Sequence, residues 1–303
     1  MPWYDTFDAL VKERFPQLEW MGEEPMARHT TFRTGGPARR FARPGSAEEL
    51  TALLDAAERE QWPVLVLGNG SNVLAADQGV EALVVHTGRL DSVGRTGERT
   101  LRAEAGVSLA RLAVFAQREA LSGLEFAHGI PGSLGGAVFM NAGAYGGEMR
   151  QVVTAVTAWF PGQGIVRLEG DALEFGYRHS IFSRRPGAAL AAEFLLEPGD
   201  GEAIRARMED LDRRRREKQP LEYPSAGSTF KRPEGHFAGA LIEQCGLKGA
   251  RSGGAMVSEK HAGFVINAGG ATSGDVLALI AHVQRTVKEQ TGVALEPEVR
   301  IVS

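Results

Sequence analysis

The sequence predicts an α+β protein built from several small domains, and three observations carry that reading. Strand-like and helix-like segments are mixed without the strict alternation that would build one parallel sheet. Two helices are marked by capping boxes and apolar stripes, at Ser46–Glu49 and Thr272–Asp275. A Pro198-Gly199-Asp200-Gly201 break precedes a strongly charged helical stretch, which makes it the best linker. A length of 303 residues suits two or three domains of about 100–150 residues. The expected divisions are residues 1–86, 87–200 and 201–303.

Taken in order, Trp3 to Phe15 carries Phe7, Leu10 and Val11 at helical spacing and predicts a short amphipathic helix. Thr30 to Arg40 is turn-rich and basic. Ser46 and Glu49 can satisfy each other's end of a helix whose stripe is Leu50, Leu53, Leu54 and Ala57, closed by Trp62-Pro63. Pro63 to Leu67 is short, continuous and branched, so it reads as a buried strand, and Ala82 to His86 as the next one. Thr100 to Ala105 forms one arm of a hairpin that turns at Arg95 to Glu98. Ser108 caps a helix with Leu109, Leu112, Ala113 and Ala116 inward, stopped by Ser122-Gly123. Val152 to Phe160 and Ala188 to Leu196 are strand-like. Glu202 to Lys218 is a charged helix, and Gly263 to Asn267 is strand-like. Val276, Leu277, Leu279, Ile280, Val283 and Val287 make a helical stripe that ends at Thr291-Gly292. Val293 to Val302 alternates as a strand would: Val293, Leu295, Val299 and Ile301 share one face, and Glu296, Glu298 and Arg300 the other.

Composition excludes several function classes. Lys and Arg total 34 against 38 for Asp and Glu, a net charge of −4, so whole-surface binding to nucleic acid is not expected. The single cysteine, Cys245, excludes a disulfide framework and a Cys-clustered metal site. His29, His128, His236 and His261 lack metal-ligand spacing with acidic partners, so no metal is expected. The charged first residues carry no secretory segment. Phe126 to Gly147 has no formal charge, and about 20 apolar residues suffice to span a bilayer. Seven of its residues are glycine, however, and His128, Pro131 and Asn141 interrupt the rest, so it reads as loop-rich rather than as a membrane span. A cytoplasmic protein without a membrane or obligate protein partner is expected.

Glycine, 38 in all and clustered, directs attention to the chemistry. Gly68-Asn69-Gly70-Ser71-Asn72 follows a strand, and left-handed Gly and Asn can aim consecutive N–H groups at an anion. It is neither a Rossmann fingerprint nor a P-loop, and a tight surface turn would need the same residues. Gly129 to Gly147 can approach a flat or phosphorylated ligand without side-chain obstruction, or can simply connect domains. Ser225 to Arg232 sets hydroxyls beside two cations, which suits acid catalysis, anion binding or a capped turn. In Tyr177-Arg178-His179-Ser180 the guanidinium can grip a carboxylate or face water. Glu296 and Glu298, about 7 Å apart on one strand face, are paired carboxylates or an edge strand's solvent side. Arg213 to Arg216 reads as a solvated helix face.

Together, Thr34-Gly-Gly-Pro-Ala38, Gly68-Asn-Gly-Ser-Asn72, Gly129-Ile-Pro-Gly-Ser-Leu-Gly-Gly136, Asn141-Ala-Gly-Ala-Tyr145, Tyr177-Arg178, Ala226-Gly-Ser-Thr-Phe-Lys231 and Pro297-Glu-Val-Arg300 resemble the UDP-N-acetylenolpyruvoylglucosamine reductase family. The resemblance runs from about Thr31 to Val302. It implies two domains that hold FAD in the fold of vanillyl-alcohol oxidase, and a C-terminal α+β domain for a UDP-sugar. The implied activity is NADPH-dependent reduction of UDP-N-acetylenolpyruvoylglucosamine to UDP-N-acetylmuramate in peptidoglycan precursor synthesis. The residues implied to hold FAD are Gly68, Asn69, Gly70, Ser71 and Asn72; Gly129, Ile130, Pro131, Gly132, Ser133, Gly135 and Gly136; and Asn141, Ala142 and Gly143. Ser228 matches the family's proton donor, Arg178 its catalytic arginine and Glu298 its glutamate. Tyr177, Lys218 and Lys231 match substrate-binding positions. Two departures stand out. His179 occupies a position where Asp is common, and no insertion follows Tyr177 to Phe182, so the chain resembles the shorter form.

Overall fold

A computed structural model describes residues 2–303. The chain divides into two compact units. The first comprises the residues up to Gly22, Arg40–Asn69 and Ala82–Arg214, and the second Glu23–Arg39, Gly70–Glu81 and Arg215–Ser303.

In the first unit, helix α1 (Trp3–Arg14) buries Phe7 and Val11, one turn apart, as the spacing predicts. Helix α2 (Ala47–Arg59) starts where Ser46 Oγ accepts the Glu49 N–H at 3.2 Å. The Glu49 carboxylate takes the Gly45 N–H at 2.6 Å instead of that of Ser46, so half of the expected box forms. Leu50, Leu53, Leu54 and Ala57 are buried against Phe7, Val11, Trp62, Leu83 and Val85. Each such leucine contributes about 1.5–3 kcal/mol through burial. Strand Val64–Leu67 pairs in parallel with Leu83–His86. It lies at the edge of a four-stranded sheet, so Val64 is 37% exposed where a buried strand was expected.

Five antiparallel strands form the second sheet of this unit, in the order Gly164–Glu169, Val153–Phe160, Ala188–Leu195, Thr100–Glu104 and Val93–Arg95. Helix α3 (Leu109–Arg118) is capped by Ser108 and buries Leu109, Leu112, Ala113 and Ala116, as expected. Helix α4 (Leu134–Met140) stands where the glycine content predicted loop. Packing overrides propensity there. A Cβ on Gly135 would lie 3.1 Å from Ala105 Cβ, and the Gly135 N–H donates to Ala105 O at 2.8 Å, so glycine allows the helix to sit on the neighbouring backbone. Helix α5 (Gly201–Lys218) buries only Ile204, Met208 and Leu211, and Arg213 and Arg214 pair with Asp210 on its solvated face.

In the second unit, strand Val73–Ala75 pairs in parallel with Arg300–Val302, and Arg251–Ser252, Ala255–Val257 and Val265–Asn267 form a small antiparallel sheet. Helix α6 (Ala238–Gln244) is short, and helix α7 (Ser273–Thr291) is held by the reciprocal Thr272–Asp275 box and ends at Gly292, φ +75°. Its stripe of Val276, Leu279, Ile280, Val283 and Val287 packs on Leu241, Ile242, Val257, Val265, Leu295 and Val299. The strand expected over Val293–Val302 is confined to Arg300–Val302. Pro297 joins Phe230 only as an isolated antiparallel bridge, and Ile301 is 52% exposed rather than inward. Among the described residues, no helix is long and apolar enough to cross a membrane.

Candidate functional site

In the first unit, the end of strand Val64–Leu67 delivers Gly68 against the loop that precedes α4. A Cβ on Gly68 would lie 2.0 Å from Ser133 Oγ, so a side chain there would displace that hydroxyl. Ser133 is 1% exposed, and its Oγ has no hydrogen-bond partner among the described residues. The loop is fixed around it: Leu109 N–H donates to Gly132 O at 3.0 Å, Leu134 N–H to Val107 O at 2.8 Å, and Asn69 Nδ2 reaches Pro131 O at 3.4 Å. Ile130 packs on the apolar core, with its N–H on Ala127 O. A Cβ on Gly136 would lie 3.8 Å from Ser133 Oγ, an ordinary contact, and Gly129 carries no side chain. A buried, unpaired hydroxyl costs about 1–3 kcal/mol unless something pairs with it. Set against a side-chain-free backbone, it fits the oxygen-rich part of a dinucleotide such as FAD, which Gly68, Gly132, Ser133 and Gly136 would hold.

After α4 the chain turns left-handed at Asn141, φ 42°, and this residue is fully buried. The family resemblance implies Asn141 among the cofactor-binding residues, and its side chain bonds three protein groups. Nδ2 donates to Gly176 O at 2.9 Å and to Glu148 Oε2 at 3.2 Å, and Oδ1 accepts the Arg150 N–H at 2.9 Å. Ala142 is likewise engaged through its main chain, donating to Ala137 O and accepting from Met149 N–H. Gly143 opens a tight hairpin with Gly147 and Glu148. Its carbonyl accepts Arg178 Nη2 at 3.3 Å. Tyr177 and Arg178 are the central residues of a turn closed by two bonds between Gly176 and His179, at 3.0 and 3.2 Å. Tyr177 is 53% exposed, and the Arg178 guanidinium lies 5.1 Å from its ring centroid.

The second unit brings Ser228 and Glu298 onto neighbouring strand-like segments. Phe230 and Pro297 form an antiparallel bridge, flanked by Glu298 N–H donating to Thr229 O and Lys231 N–H donating to Glu296 O, both at 2.8 Å. Thr229 is buried; its N–H donates to Gly263 O, and its Oγ1 accepts the Val265 N–H at 2.9 Å. Ser228 is exposed beside left-handed Gly227, φ +75°, and Glu298 is half-buried. Both glutamates lie on the bonded segment, and the Glu296 carboxylate pairs with Lys231 at the surface. Lys218 is exposed at the end of α5.

Gly70, φ +58°, is the one left-handed residue of Gly68 to Asn72. A Cβ on Gly70 would lie 1.9 Å from His29 O. Asn72 Nδ2 donates to Glu298 O at 3.0 Å, and Asn72 O accepts the Arg300 N–H, which ties Ser71-Asn72 to the C-terminal segment. Nearby, His261 Nδ1 accepts the Gly263 N–H at 3.1 Å. Burial holds the His261 imidazole below the ordinary histidine range, opposed by Glu243 and assisted by Lys248.

Residues 38–169 match the model of an FAD binding domain, and residues 219–302 match the C-terminal domain of UDP-N-acetylenolpyruvoylglucosamine reductase. A UDP-N-acetylenolpyruvoylglucosamine reductase of Caldanaerobacter subterraneus subsp. tengcongensis is 50% identical over 292 residues, covering 96% of this chain and 96% of its own. The chain belongs to the UDP-N-acetylenolpyruvoylglucosamine reductase family. A reductase of the same name from Levilactobacillus brevis is 49% identical over 97% of this chain and 96% of its own. The crystal structure of the Thermus caldophilus reductase superposes with a TM-score of 0.80 at 36% identity, covering 95% of this chain and 99% of that one. Within the motifs of this reductase family, sequence reasoning passed over Thr229 and Ser180. Each is a buried hydroxyl residue one or two positions from a candidate catalytic residue, and that adjacency was the available signal.

Proposed function

We propose that this chain reduces UDP-N-acetylenolpyruvoylglucosamine to UDP-N-acetylmuramate with NADPH, through bound FAD. The observation that carries the reading is the presence, in one chain, of an FAD-binding match over 38–169 and the reductase C-terminal match over 219–302. Residues 1–86 and 87–200 are assigned to FAD and 201–303 to the UDP-sugar. The nucleotide-linked substrate and NADPH point to the cytoplasm as the place of work.

When bound, FAD supplies the two-electron carrier between NADPH and the substrate alkene. The chain's own residues supply placement and charge. Gly68, Gly132 and Gly136 would let main chain approach the diphosphate, and Ser133 would offer its hydroxyl as a donor. Arg178 takes the role of gripping the enolpyruvyl carboxylate and stabilising the negative charge that grows there, and Glu298 that of the family's glutamate. Ser228 delivers the proton to the ether-bearing carbon, so that a hydride and a proton together saturate the double bond. Tyr177, Lys218 and Lys231 serve the UDP-sugar.

The test is anaerobic. NADPH should bleach the yellow protein, and UDP-N-acetylenolpyruvoylglucosamine should restore the colour. Restoration by a simple alcohol-derived or hydroxy-acid-derived acceptor, with none by the enolpyruvyl substrate, overturns the assignment.

A further inference from the structure

We propose that Asn141 and Ser180 are positioning residues for Arg178. Together they strap the two-residue turn that carries its guanidinium to the end of α4. The proposal rests on the reductase reading, since it concerns where that reading's catalytic arginine is held.

Arg178 has φ +53°, a left-handed backbone that a non-glycine side chain adopts only when its surroundings impose it. The surroundings that impose it are visible. On the N-terminal side, Asn141 Nδ2 donates to Gly176 O at 2.9 Å, across 35 residues of sequence. On the C-terminal side, Ser180 Oγ donates to Phe139 O at 2.7 Å. Asn141 and Ser180 are both 0% exposed, so neither bond is exchanged for water. The carbonyl of Gly143, two residues beyond Asn141, accepts Arg178 Nη2 itself. Three consecutive contacts from the end of α4 therefore fix the turn before, at and after the arginine.

An asparagine in a left-handed helix cap is common for backbone reasons alone. A cap needs no long-range partner, however, and this amide reaches Gly176 while its oxygen holds Arg150. A flexible arginine on an untethered turn would sample many positions. Displacement of a catalytic group by about 1 Å can cost about 100-fold in rate.

The experiment is a double-mutant cycle on the flavin-loaded enzyme, with hydrogen exchange as the second readout. Asn141→Gly keeps the left-handed backbone and removes the amide. In Ser180→Ala, at a residue outside the FAD-binding set, the expected result is an unchanged flavin content and NADPH bleaching within about twofold, while the substrate-dependent return of colour slows by about 10- to 100-fold; in Asn141→Gly the return of colour should slow by that factor relative to NADPH bleaching. Exchange of the His179 amide, which closes the turn onto Gly176, should accelerate at least about tenfold in the protein as purified. In an Arg178→Lys background the same change should cost less than about threefold, because its effect passes through the arginine.

Asn141→Asp retains the acceptor for Arg150 and loses the donor to Gly176. It should match Asn141→Gly, and recovery of the full rate by Asp overturns the proposal. Additive losses in the cycle, or unchanged exchange at His179, overturn it as well. If Asn141→Gly does not fold, Ser180→Ala runs the same cycle with the same criteria. Failure of the wild-type enzyme to respond to the enolpyruvyl substrate would instead refute the functional reading. A responsive wild type with an additive cycle refutes only this inference.

Discussion

Replacing Ser133 by alanine should move two quantities in opposite directions. The hydroxyl is buried at 1% exposure and has no protein partner among the described residues, so the flavin-free protein carries its desolvation uncompensated. That penalty is about 1–3 kcal/mol, and removing it should stabilise the flavin-free protein by up to that amount. A rise in unfolding midpoint of at least about 2 °C is expected. On the proposed function the same hydroxyl would donate to a charged phosphate of FAD, a bond worth about 1.5–3 kcal/mol, so Ser133→Ala should weaken FAD by about 10- to 150-fold. The check is a thermal scan of flavin-stripped protein beside a titration of FAD fluorescence quenching. A variant whose flavin-free form is less stable, or whose FAD affinity is unchanged, would refute the reasoning. The first result would mean that Ser133 has a structural partner, and the second that it faces no ligand oxygen.

Other outcomes follow from the same geometry. Gly70→Ala combines a left-handed backbone with a Cβ that would lie 1.9 Å from His29 O, so it should destabilise by more than about 2 kcal/mol; a wild-type urea midpoint would contradict this. Ser228 is exposed, so Ser228→Ala should leave the urea midpoint and NADPH bleaching unchanged while the substrate-dependent return of colour slows by about 10²- to 10⁴-fold. The His261 pKa is lowered in the folded state, so the unfolded chain binds the proton more readily. The stability this contributes is present above the ordinary value of 6.5 and is lost as pH falls through the folded value. His261→Asn offers an oxygen to the Gly263 N–H and should flatten the fall in urea midpoint below pH 6.5; an unchanged slope would exclude His261 as its source.

Elements whose stability lies in their own residues were legible in the sequence. The stripes of α2 and α7 and the Thr272–Asp275 box needed only local spacing. Features determined by distant partners were not. Helix α4 exists because Gly135 packs on Ala105, which its glycine content argued against. Strand Gly164–Glu169 pairs with Val153–Phe160 and shows Ile165 to solvent; its alternation was present, but short and set in a charged stretch. The C-terminal alternation held through Leu295 and Val299 and broke at Ile301, which is exposed. At the site, motif spacing picked out Arg178, Ser228 and Glu298 only through resemblance. What holds them was invisible for a different reason: Asn141 bonds Gly176, 35 residues away, and Asn72 bonds Glu298, 226 residues away.

The most direct measurement is the absorption spectrum of the protein as purified, with the released chromophore identified after denaturation. The account predicts a yellow protein that yields FAD in stoichiometric amount, and a stripped form that regains its colour when FAD is returned. A colourless protein that binds no FAD even in excess would contradict it.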